Sequence, residues 1–133
     1  MRSTRSPAER RDQRGAAVVD FVLVAIVLVP LFLGIVQVAL VMHVRSTLAA
    51  AATEGARYAA TIDRGPAAGA AHTRRRINDA LAARYASRVS ADEEVVDGLR
   101  AVVVHVHAEV PPLGLWGPSV SFDVVGHGVE EAQ

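Results

Sequence analysis

The chain has 133 residues, 51% of them apolar, yet only three Phe, two Tyr and one Trp, so any core is built from small aliphatic side chains. Net charge is zero and there is no cysteine, which excludes disulfides, thiol redox chemistry and thiolate metal sites. All 14 basic residues are arginine and they are dispersed, without the aromatic-interleaved basic face that nucleic-acid binding needs.

The zero net charge hides a segregation. Residues 1–15 carry Arg2, Arg5, Arg10, Arg11 and Arg14 against Glu9 and Asp12, a net of +3, whereas residues 45–133 carry a net of −2. Residues 1–15 read as a disordered basic cytoplasmic leader. From Ala16 to Val44 the sequence is nearly all apolar, and Phe21 to Met42 is a run of 22 residues with Gln37 alone polar. A bilayer core of about 30 Å takes roughly 20 helical residues. Residues 16–44 therefore predict a transmembrane helix. The basic flank predicts an N-terminus in the cytoplasm and a C-terminal part on the outer face of the membrane. Pro30, in mid-segment, removes a backbone donor and predicts a kink.

Beyond the apolar run the helix is expected to continue over 45–61. Leu48, Ala52, Gly55, Ala59 and Ile62 fall on one stripe of mostly small residues, which lets another backbone approach closely. The stretch from Thr61 to Gly69, with Gly65-Pro66, predicts a break. Residues 70–88 predict a second, amphipathic helix, with Ile77, Leu81, Tyr85 and Val89 on one side and Arg74, Arg75, Asn78, Asp79 and Arg84 away from them. Ser90-Ala91-Asp92-Glu93 has a capping-box pattern and predicts one short helical turn. The acidic cluster Asp92, Glu93, Glu94 and Asp97 lacks EF-hand spacing and reads as a solvated helix start favoured by the dipole.

Two strands, 99–110 and 119–128, close the chain. Val102, Val104, Val106, Ala108 and Val110 alternate with Val103, His105, His107 and Glu109, and Val120, Phe122 and Val124 share one face of the second strand. Residues 111–118 (PPLGLWGP) form the connection. Matching the buried faces pairs Val110 with Val120 and sets His107 opposite Asp123 on the outer face. The fold class is α+β: a long N-terminal helix whose first half spans the membrane, a second amphipathic helix and a C-terminal antiparallel hairpin.

No nucleophile elbow or Gly-rich phosphate loop occurs, and the chain reads as a non-enzyme without cofactor. His105 and His107 with Asp123 or His127 would make an incomplete metal set, without recognised spacing, so no metal site is assigned. Trp116 reads as a plug over one end of a small core rather than a partner contact. Asp20 stands out, because a carboxylate at the start of an apolar segment is costly unless it lies among the headgroups or meets a positive charge. Cleavage after Gly15 would give Ala16 a new α-amino group, which Asp20 of a neighbouring subunit could pair with.

Arg14-Gly15-Ala16-Ala17-Val18-Val19-Asp20-Phe21 resembles the processing site of type IV pilin-like proteins, with Asp20 where that family usually has glutamate. The run with Val29-Pro30-Leu31 and Gly34 is similar to TadE-like proteins of the tight-adherence (Tad/Flp) pilus machinery. The segment Thr53-Glu54-Gly55-Ala56-Arg57-Tyr58-Ala59-Ala60 is the most specific match. The resemblance implies a pilin-like minor pseudopilin of the inner membrane, cut between Gly15 and Ala16 by a prepilin peptidase. Its partners would be membrane lipid, other pilin-like subunits and pilus assembly proteins. Asp20 and Phe21 would serve subunit pairing, and Glu54, Gly55, Ala56, Arg57 and Tyr58 the family motif. The alternatives are a secreted soluble protein with residues 16–48 as signal peptide, cut near Ala49-Ala50-Ala51, an uncleaved signal-anchored surface protein, and a metal-binding or enzymatic ectodomain using His105 and His107.

Overall fold

The structure is a computed structural model that describes residues 7–61, 64–82, 86–113 and 119–129. Ile62 and Tyr85 of the two predicted stripes, Arg84, and Trp116 in the connection expected over 111–118 lie outside the described residues. The elements are helix α1 (Pro7–Ala59), helix α2 (Pro66–Ala80) and strands β1 (Ala86–Val96), β2 (Leu99–Val110) and β3 (Val120–Val129). The class is α+β, with one long N-terminal helix, a second helix and an antiparallel sheet of order β1-β2-β3. The chain divides into two compact units, Met1–Val36 and Gln37–Gln133.

The first unit is the N-terminal part of α1. Helix begins at Pro7, inside the leader expected to be disordered. Proline presets the first helical φ. Here the large side chains face outward: Phe21 is 73% exposed, Leu28 59% and Phe32 62%. A water-soluble helix with such a surface would be unstable in solution. The helix from Gly15 is long and apolar enough to cross a membrane.

The second unit holds the core. The outer half of α1 lays Val44, Leu48, Ala51, Ala52 and Ala56 against Ile77 of α2 and the inner sheet face of Val104, Val106, Ala108, Val110 and Val124. The small-residue stripe is this buried face: Leu48, Ala52 and Ala59 are each 0% exposed. It admits two backbones. On β3, Gly126 and Gly128 continue the inner face beyond Phe122 and Val124, and α1 lies directly on them. A Cβ on Gly126 would overlap the Ala52 backbone, and one on Gly128 would overlap that of Ala56. On α2, a Cβ on Gly69 would stand 2.6 Å from Ala59 Cβ, and one on Gly55 would meet Gly69 O at 2.9 Å and overlap Thr73.

The register of the hairpin is as expected, with Val110 opposite Val120 and His107 opposite Asp123. Two expectations are corrected. Helix α2 occupies Pro66–Ala80 rather than 70–88, because Pro66 sits at its first turn instead of in a break. Its last bond runs from Leu81 N–H to Ile77 O, at 2.7 Å. Residues 86–96, expected as helix end and a capping-box turn, form strand β1 paired along β2. Asp97 (φ 53°) and Gly98 (φ 82°) both take positive φ, which is the two-residue turn that matches strand twist. Val89 and Ala91 face inward opposite Val106 and Val104, so pairing with β2 outweighs the four-residue helical spacing. A hairpin alone is marginal in water, and the third strand gives it support. The acids Asp92, Glu93 and Glu94 accordingly lie on a strand, not on a helix start.

Gly126→Ala should destabilise the second unit by about 1–3 kcal/mol, since the added methyl meets backbone that cannot rotate away. Gly65→Ala, whose Cβ meets nothing within 4 Å but which replaces the N-cap residue of α2, is the control and should cost no more than about 1 kcal/mol. Thermal melts of the full chain in detergent micelles, followed by circular dichroism, separate the two.

Candidate functional site

The predicted site residues fall into two groups on one helix. Gly15, Ala16, Asp20 and Phe21 lie on the first unit's part of α1, all exposed. A Cβ on Gly15 would touch nothing within 4 Å, so its glycine is not explained by packing. Pro30 is inside the continuous helix.

The second group is Glu54 to Tyr58, whose residues face different neighbours. Glu54 and Tyr58 are one turn apart on α1 and face His72 and Arg76, one turn apart on α2. Glu54 Oε1 lies 2.9 Å from His72 Nε2, and Arg76 Nε donates to Glu54 Oε2 at 2.9 Å. The Tyr58 ring stacks on the His72 imidazole with centroids 4.4 Å apart and planes 13° from parallel. The Arg64 guanidinium lies 4.0 Å from the Tyr58 ring centroid. At those distances two planar groups cannot share one ring face, so Tyr58 is held between them. Gly55 is buried and lets α2 come close. Ala56 is buried under the Gly128 crossing, and Arg57 points to solvent. Thr73, 0% exposed, fills the helix crossing. Its hydroxyl lies 2.9 Å from Gly69 O and 3.4 Å from Ala51 O, so the buried oxygen is satisfied.

The electrostatics follow from this geometry. The hydrogen bond from His72, then that from Arg76, hold the Glu54 carboxyl below its ordinary value of 4.5. The charged form of Glu54 thus favours the docked helices. Because both side chains remain partly open to solvent, the clamp orients α2 more than it stabilises it. Arg74 donates to Val89 O at 2.6 Å, tying α2 to a β1 backbone carbonyl.

On the outer sheet face His107 Nδ1 lies 2.7 Å from Asp123 Oδ1, the neighbour relation that the register predicts. His105 stands opposite Ser90 and Val125, and His127 opposite Val103. Among the described residues no group of three or more His, Asp or Glu side chains could hold a metal ion. The sequence reading missed His72, Arg76 and the glycines at 69, 126 and 128. The four-residue spacing of His72 and Arg76, matching that of Glu54 and Tyr58, was the signal available.

Residues 15–57 match the family described as TadE-like protein. The resemblance seen in the motifs is borne out over that stretch, which runs from Gly15 through Asp20, Pro30 and Glu54 to Arg57. No curated protein and no solved structure matches the chain.

The sign of the Glu54 contribution sets a pH dependence. A lowered carboxyl pKa gives stability that is present above pH 4.5 and is lost as pH falls through the lowered value. In melts taken from neutral pH down to about pH 3, Glu54→Gln should lower the melting temperature at neutral pH and flatten part of the acid limb. Equal acid limbs in the two proteins would show that Glu54 carries no linkage.

Proposed function

We propose that the chain is a single-pass minor pseudopilin that takes part in Tad/Flp pilus assembly. A TadE-like match suggests a role in that system, and one apolar N-terminal helix fits a membrane anchor. The observation that carries the proposal is the contrast along α1. One helix exposes Phe21, Leu28 and Phe32 in its first part and buries Val44 and Leu48 in its second. The first part suits lipid or other apolar helices, and the second fixes a folded head to it.

In this reading residues 1–15 stay in the cytoplasm of the inner-membrane protein and residues 45–133 lie on the outer face. A prepilin peptidase cuts between Gly15 and Ala16. Gly15 weakens the helix locally by roughly 1 kcal/mol, which eases opening of the backbone at the cut. The new Ala16 ammonium of one subunit meets Asp20 of the next, so two costly charges offset each other and set the register between subunits. Phe21 adds apolar contact beside that pair, and a kink at Pro30 adjusts the helix to its neighbours. The role is structural, and assembly proceeds through helix–helix and head contacts.

The secreted alternative fits the core poorly. Cutting near Ala49-Ala50-Ala51 would remove Val44 and Leu48, both 0% exposed and among the largest fully buried side chains.

N-terminal sequencing of the membrane-extracted chain, made with a prepilin peptidase present, should begin at Ala16. Gly15→Leu should leave the leader attached. Asp20→Asn should still be cut but should lose cross-links between neighbouring subunits. An intact Met1 in the unaltered chain would remove the cleavage step, and a start near Ala52 would favour secretion.

A further inference from the structure

Gln37 is the lone polar side chain within the apolar run of Phe21–Met42, and the helix–head clamp does not use it. Its amide is held at both ends by the β2–β3 connection: Nε2 donates to Pro111 O at 3.3 Å, and Leu113 N–H donates to Oε1 at 2.8 Å. All of these residues belong to the second unit.

Three observations fix where this connection stands. First, β2 runs back along α1. Gly128, beside Val102, crosses Ala56; Gly126, beside Val104, crosses Ala52; and Pro111 reaches Gln37. The 111–113 end of the sheet is therefore the end beside Gln37 and the last apolar residues of α1, and the Val96–Leu99 turn is the far end. Second, Gln37 lies five residues before Met42 in the apolar run, about 7–8 Å along the helix axis. Around it Val38 is 60% exposed and Met42 67%. Third, the segment is chemically suited to an apolar boundary. Pro111 and Pro112 have no N–H, and Gln37 accepts the next one, from Leu113. Three successive residues thus present no unmet backbone donor, and the Pro111 carbonyl accepts from Gln37, which lowers the cost of bringing this backbone to an apolar boundary. Leu113 keeps 40% of its surface exposed.

We infer that Pro111–Leu113, held by Gln37, is a second membrane contact: the base of the head docks on the headgroup–acyl boundary of the bilayer. Gln37 is tolerated in the apolar run because the connection covers its amide, and the connection in turn is carried to the depth at which Leu113 meets acyl chain. The head then stands on the membrane at two points, the helix and the connection, which limits its rotation. This inference rests on the membrane-span reading proposed above.

The chain has no cysteine, so single labelling sites are unique. Leu28→Cys, Leu113→Cys and Val96→Cys, each carrying a nitroxide and reconstituted in phosphatidylcholine vesicles, are read by collision with oxygen and with a water-soluble nickel chelate. Leu28→Cys should favour oxygen strongly and Val96→Cys should favour nickel. Leu113→Cys should lie on the oxygen side, and adding Gln37→Leu should raise its nickel collisions. A Leu113→Cys label as nickel-accessible as Val96→Cys, with Leu28→Cys still in lipid, overturns the docking and leaves the span intact. Low collision with both reagents at Leu113→Cys means that protein covers it, which also overturns a lipid contact. No change on adding Gln37→Leu removes Gln37 as its holder. A nickel-accessible Leu28→Cys defeats the span reading itself.

Discussion

Everything in the second unit depends on how closely α1 can lie against its neighbours. At Gly126 and Gly128 the helix backbone rests on the strand backbone, and at Gly55 and Gly69 two helix backbones meet. Valine and alanine fill what remains. Short separations replace large side chains as the source of dispersion contact, which suits a head with few aromatic residues. Such a core tolerates little, because a missing side chain cannot move aside to make room for a new one.

The same closeness explains why one motif can serve several ends. Glu54, Gly55, Ala56 and Tyr58 follow one another on a single turn and a half of helix, yet they address different neighbours. Glu54 and Tyr58 hold α2 through His72, Gly55 admits the α2 backbone, and Ala56 admits β3. The consecutive pattern is the imprint of a helix that has a strand on one side and a helix on another. Arg57, between them and turned to solvent, has no task within the fold.

Much of the architecture was legible because it rests on pattern alone. The apolar run announced a long exposed helix, and strict alternation in β2 gave the register that sets His107 against Asp123. What failed was local pattern set against tertiary pairing. Ile77, Leu81 and Val89 keep helical spacing, but Val89 ends up on a strand because β2 offered a partner. Asp97-Gly98 was the available correction, a turn dipeptide between two alternating segments, and the acids around it drew the reading toward a helix start instead. Gly126 and Gly128 were silent for another reason: a glycine in a strand carries no side-chain pattern, so its meaning lies wholly in what approaches it. His72 and Arg76 could be found only once Glu54 had a partner helix to face.

The clamp at Gln37 joins positions 74 and 76 residues apart. Contacts this distant in sequence form late, since the intervening chain must first be ordered. The last strand completes the bed for the first helix: Gly126 and Gly128 take the Ala52 and Ala56 backbones, so the outer half of α1 is only partly covered, by α2 and β2, until β3 is in place. For a chain made N-terminus first, the core of the second unit is thus incomplete while residues 120–129 are still to come. Only the arrival of β3 closes the second unit over the outer half of α1.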